Sequence, residues 1–66
     1  MNWKNSWEVQ PLEPGLYVTR LVGDGSDFQY WNGKYWGRPA LTKQDAINKK
    51  DIESLVQDIQ WRPLIA

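Results

Sequence analysis

The chain has 66 residues, with eight Lys plus Arg against eight Asp plus Glu, and it contains neither Cys nor His. Without those two residue types it can form no disulfide staple, no zinc or iron–sulfur site of the usual kind, and no Cys- or His-based nucleophile. Zero formal net charge argues against general nucleic-acid coating and against an acidic DNA-mimicking surface. Five Trp, three Tyr and one Phe are a heavy ring content for so short a chain. Each buried ring removes roughly 150–250 Å² from water, so rings are one way for a small domain to gather enough core.

Residues 1–14 carry Trp3, Trp7, Pro11 and Pro14 with no stable period. They read as an irregular, Trp-bearing arm on a single domain spanning 1–66. Gly15 to Val22, GLYVTRLV, is the clearest strand, bounded by Pro-Gly and by the turn-forming GDGSD. Residues 27–32 and 34–37 flank Asn32-Gly33, and Asn-Gly between β-favouring residues predicts a two-residue type I′ hairpin. That turn pairs Trp31 with Lys34, Tyr30 with Tyr35 and Gln29 with Trp36. Phe28, Tyr30 and Tyr35 then share one face, and Gln29, Trp31, Lys34 and Trp36 the other. Both faces carry rings, so the second needs a cover: the N-terminal arm, the C-terminal segment or a partner.

From residue 40 the chain turns polar. Thr42 with Asp45 is a weak capping box. Ile52, Leu55, Val56 and Ile59 follow helical spacing, with Asp51 as a plausible N-cap, which places one short helix within 43–57. Residues 58–62 alternate as a final extended segment, kept from a central position by Pro63. The expected fold is α+β: a small antiparallel three- to four-stranded meander (15–37) with one short helix. The expected core is Trp7, Tyr17, Phe28, Tyr30, Tyr35, Leu55 and Trp61.

No Ser sits near a base or in a Gly-x-Ser-x-Gly turn, and the carboxylates are scattered, so no catalytic residue, metal ligand or cofactor is expected. Binding is the better reading. If the helix covers the Tyr30/Tyr35 face, Trp31, Lys34, Trp36 and Arg38 form an exposed partner-binding patch of the Trp, Tyr and Arg chemistry that carries interface energy. The alternative is a small ligand-binding module whose Trp and Tyr rings stack on carbohydrate or nucleic-acid bases. A homodimer would be an equally economical use of the second ring face. No apolar run reaches the ~20 residues of a membrane span and no secretory h-region opens the chain, so a cytoplasmic protein is expected.

Trp7, Pro14-Gly15-Leu16-Tyr17-Val18, the Trp31-Asn32-Gly33-Lys34-Tyr35-Trp36 hairpin and Trp61-Arg62-Pro63-Leu64 together resemble a set of short phage- and prophage-type bacterial proteins of unknown function. Their pattern is a Pro-Gly-x-Tyr-Val strand, a Trp-Asn/Asp-Gly-x-x-Trp hairpin and a C-terminal Trp-x-Pro-Leu. The resemblance implies a non-catalytic modulator or inhibitor of a host protein in the bacterial cytoplasm. The region 40–57 departs from the pattern, being longer and more helix-like.

Overall fold

A computed structural model describes residues 3–21 and 25–64. Four strands and one helix follow in chain order: β1 (Lys4–Asn5), β2 (Gly15–Arg20), β3 (Ser26–Trp31), α1 (Lys43–Asn48) and β4 (Gln60–Pro63). All pairings are antiparallel and the sheet order is β1-β4-β2-β3. A four-stranded antiparallel sheet with one short helix matches the expected class, but the order is not that of a meander. β4 inserts between β1 and β2, so the N-terminal arm contributes an edge strand and the C-terminal segment an interior one. Pro63 is tolerated there because, among described residues, β1 pairs only with Gln60 and Trp61. Pro63 opposes Tyr17 at the end of β4.

Register decides the faces. Tyr17 opposes Gln29, Thr19 opposes both Asp27 and Trp61, and Gly15 opposes Trp31. Alternation puts these side chains on one face of the sheet. Here Trp31, Trp36, Ile59 and Trp61 form the buried cluster, with Tyr17 packed against it. The rings meet edge-on or tilted: Tyr17 and Trp61 centroids lie 5.2 Å apart at 79°, and Trp31 and Trp36 lie 5.1 Å apart at 53°. Offset, non-parallel contacts suit the ring quadrupoles. Leu16, Val18, Phe28 and Tyr30 lie on the opposite face and are half-buried. Helix α1 packs on β3 and reaches β2, burying Ala46 outside the ring cluster, and the Lys50 ammonium sits 5.9 Å from the Tyr30 ring centre.

The hairpin differs from the expected turn. Trp31 opposes Trp36, closing a four-residue loop rather than a two-residue one. Gly33 has φ +94°, but Asn32 has no positive φ, so the type I′ turn is not formed. Instead the Asn32 side-chain oxygen accepts from the backbone N–H of Lys34 (2.9 Å) and Tyr35 (3.0 Å). Asn makes such local bonds as readily as it adopts positive φ. Beyond the loop, 34–37 is no full strand: only Trp36 and Gly37 make bridges. The alternation survives the change of register, since Gln29, Trp31 and Trp36 still share a face.

The helix is shorter than 43–57. It ends after Asn48 and is opened by Thr42, whose hydroxyl accepts from Asp45 N–H at 3.2 Å, as the capping box predicts. Ile52, Leu55 and Val56 are exposed and not helical, and Asp51 caps nothing helical. Their spacing is helical by coincidence, because the backbone there bonds elsewhere. Ser54 N–H donates to Trp36 O, and Arg38 N–H to Ile52 O. Trp7, 53% exposed, and Leu55, 90% exposed, leave the expected core. Phe28, Tyr30 and Tyr35 are only half-buried, while Trp61 is buried as expected. Val22, and Gly23 and Asp24 of the predicted turn, lie outside the described residues.

Candidate functional site

Trp31 and Trp36 are 5% and 1% exposed, so the expected patch of Trp31, Lys34, Trp36 and Arg38 is not an exposed surface. Helix α1 packs on β3, and Tyr30 and Tyr35, the face it was expected to cover, are half-buried. What closes the ring face is the chain itself. Gln57 acts as a surrogate strand for Trp36. Its amide oxygen accepts from Trp36 N–H (2.7 Å), and its amide nitrogen donates to Trp36 O (3.0 Å) and Ser54 O (2.9 Å). Ser6 fastens the same segment from the arm: its hydroxyl donates to Gln57 O (2.8 Å) and accepts from Ile59 N–H (3.1 Å). Trp61 Nε1–H donates to Val9 O at 2.8 Å. Residues 54–59 thus lie over the rings as a lid sewn down by amides and hydroxyls.

A buried polar pair explains why this face can be the core although it carries Gln29. The Thr19 hydroxyl donates to the Gln29 side-chain oxygen, and Gln29 Nε2–H donates to Gly37 O at 2.8 Å. Every polar side-chain atom of the pair has a partner inside, so they lose little by leaving water. Gly37 itself is pinned, since an added Cβ would stand 2.6 Å from Lys49 O. The one buried side-chain polar atom without a partner among the described residues is Trp36 Nε1, enclosed by the ring cluster.

Among the described residues two hollows stand out at the surface, and the segment 53–58 is the wall between them. The larger, about 410 Å³, is bordered by Leu21 and Asp27 on one side, Arg38 and Pro39 on another, and Leu55 and Val56 on the lid, with Gln29 and Ile59 at its base. Leu21, Leu55 and Val56 are all exposed at its rim. Arg38 is exposed and makes no side-chain bond to a described residue. Arg20 also borders this groove, but its guanidinium is engaged, donating to Gln60 at 2.9 Å and lying 4.4 Å from the Trp3 ring centre. The smaller hollow, about 250 Å³, is bordered by Trp7, Gln10, Lys34, Tyr35, Glu53 and Asp58, with Trp31 and Trp36 beneath.

The four residues singled out by sequence are therefore divided. Arg38 belongs to the large groove, Lys34 to the rim of the small hollow, and Trp31 and Trp36 to the core beside it. Leu21, Leu55, Val56 and Pro39 were not expected in the site, and Leu55 was expected in the core. A signal existed for Leu55 and Val56, which stand among Asp51, Glu53 and Asp58 in a segment polar enough to lie at the surface. No helix of the described residues is long and apolar enough to cross a membrane. Comparisons against family models, curated proteins and solved structures gave no match to this chain.

Proposed function

We propose that the chain is a small non-catalytic binding protein that captures a segment of a partner protein in the large groove. The observation that carries this reading is the exposed apolar rim of Leu21, Leu55 and Val56 around a 410 Å³ depression, in a chain whose Trp31, Trp36 and Trp61 are taken up by the core. Apolar side chains held in the open beside a preformed hollow are what an anchor residue of a partner needs. Arg38 and Lys49 border the groove against one carboxylate, Asp27, so the segment that fits is apolar with acidic flanks. Together with the resemblance to short phage- and prophage-type proteins, this favours a bacterial host protein as the partner and modulation of that protein as the outcome.

The test is site-specific photo-crosslinking in a bacterial lysate from two positions, Leu55 in the groove and Leu12, which is 99% exposed and away from it. One protein captured from position 55, absent from position 12 and lost with Arg38→Glu supports the reading. Equal capture from both positions, or none from position 55, overturns it. Crosslinking to a second copy of the chain would assign the groove to a homodimer.

A further inference from the structure

The small hollow has a different chemistry from the groove, and we infer that it is a binding site for a single hexopyranose unit of a β-linked saccharide. Trp7 stands half in the open at its edge while Trp31, Trp36 and Trp61 are buried. An indole left 53% exposed on the wall of a mostly polar depression, in a chain that buries Trp31, Trp36 and Trp61, is available as an apolar stacking surface. Around it are Gln10, Lys34, Glu53 and Asp58, all exposed. None of these four side chains bonds to a described residue, although Lys34 borders the same hollow as two carboxylates. The hydroxyls and amide of Ser6, Tyr35 and Gln57, also on the wall, are already committed to the backbone.

That arrangement separates a stacking surface from a ring of free donors and acceptors. A β-hexopyranose with equatorial hydroxyls has the matching division: a flat C–H face on each side and hydroxyls radiating in the ring plane. Its C–H face fits an indole. Its hydroxyls donate to carboxylates and accept from an ammonium, and such charge-assisted bonds are the stronger kind. A volume of about 250 Å³ holds one sugar ring and little more, so a chain of sugars would be gripped at one residue. A second cation is a poor occupant because Lys34 stands in the hollow, and a second anion is opposed by Glu53 and Asp58. This site is on the other side of the 53–58 wall from the groove and does not depend on the groove's occupant.

The experiment is a titration of the intact protein followed by two-dimensional NMR of the indole N–H signals. The probes are methyl β-D-glucopyranoside, methyl N-acetyl-β-D-glucosaminide and methyl β-D-galactopyranoside, each taken to tens of millimolar. The expected result is a saturable shift of the Trp7 indole and Tyr35 amide for at least one probe, with the Trp61 indole unmoved. Trp7→Ala, which removes a half-exposed ring outside the core cluster, should weaken binding about tenfold or more. Glu53→Gln with Asp58→Asn should do likewise with the fold unchanged by the same spectra. No saturable shift at Trp7 with any of the three glycosides, or undiminished binding by folded Trp7→Ala, would overturn the assignment.

Discussion

Strand β3 and the segment 54–59 lie against the same cluster of rings, and they satisfy their backbones by opposite means. β3 pairs along its whole length with β2, and on its other edge Phe28 exchanges both backbone bonds with Ala40 at 2.9 Å. A ladder is indifferent to side-chain identity, so β3 can bury a Gln at position 29 and still alternate cleanly. The segment 54–59 has no ladder. It is held by the Gln57 and Ser6 side chains, which each both donate and accept, and by two isolated backbone bonds, Ser54 N–H to Trp36 O and Ser6 N–H to Ile59 O. Such a segment depends on a few particular polar side chains, and it turns Leu55 and Val56 outward because its inward positions are taken by Ser54, Gln57 and Ile59.

If this contrast is right, apolar residues of the two regions have very different worth. Trp36→Ala should cost ~3–5 kcal/mol, the range for deleting a buried large ring. Total stability of so small a domain is of the same size, about 3–5 kcal/mol, so urea titration should find this variant largely unfolded at 25 °C. Gly37→Ala forces a Cβ onto Lys49 O and should lower stability by about 1–3 kcal/mol or more. Gln57→Ala removes both bonds to Trp36 and should lower it by ~1–3 kcal/mol, the cost of leaving the Trp36 N–H unpaired, while the Trp36 carbonyl keeps its bond from Ser54 N–H. A Gln57→Ala protein as stable as wild type would break the idea of a lid fastened by side chains. Thr42→Ala, which deletes the N-cap of α1, should cost about 1 kcal/mol. Leu55→Ser should change stability by no more than ~0.5 kcal/mol, since the side chain is 90% exposed, while abolishing partner capture.

The smallest effect concerns alkaline pH. Partial burial, then the Glu13 carboxylate, then Tyr30, hold the Tyr17 hydroxyl above the ordinary tyrosine range. Tyr17 donates to Glu13 O at 2.8 Å and must stay protonated to do so. Its folded pKa exceeds its unfolded one, so this stabilisation is full below the unfolded value near pH ~10. It is lost as pH rises through the folded value. Tyr17→Phe should flatten the fall in stability measured by urea titration between neutral pH and pH above ~10.

Much of the sheet was legible in the sequence. Gly15–Arg20 stands out by β-branched and aromatic content between turn signals, and the period-2 split of Gln29, Trp31 and Trp36 from Phe28 and Tyr30 survived an incorrect turn type. What could not be read was which of two ring-bearing faces is inside. That depends on Gln29 finding Thr19 and Gly37 across the sheet, and on Gln57 reaching back 21 residues to Trp36. These are single long-range bonds with no periodic trace. The helix start at Thr42 was visible because a cap is local. Its end was not, because Ile52, Leu55, Val56 and Ile59 keep helical spacing where the backbone is committed to Trp36 and Arg38. The candidate site shifted for the same reason: rings judged by type as a docking patch were consumed by the core, and the aliphatic rim was left outside.

The central claim is that Trp31, Trp36 and Trp61 are enclosed by the chain's own 54–59 segment and that Trp7 is the open ring. A soluble nitroxide added to the wild-type protein, with the five indole N–H signals followed by NMR, tests it without any substitution. The account predicts that the Trp7 signal is bleached first while those of Trp31, Trp36 and Trp61 persist. Bleaching of Trp31 and Trp36 together with Trp7 would mean that the ring face is open surface, and the division between core and groove described above would be wrong.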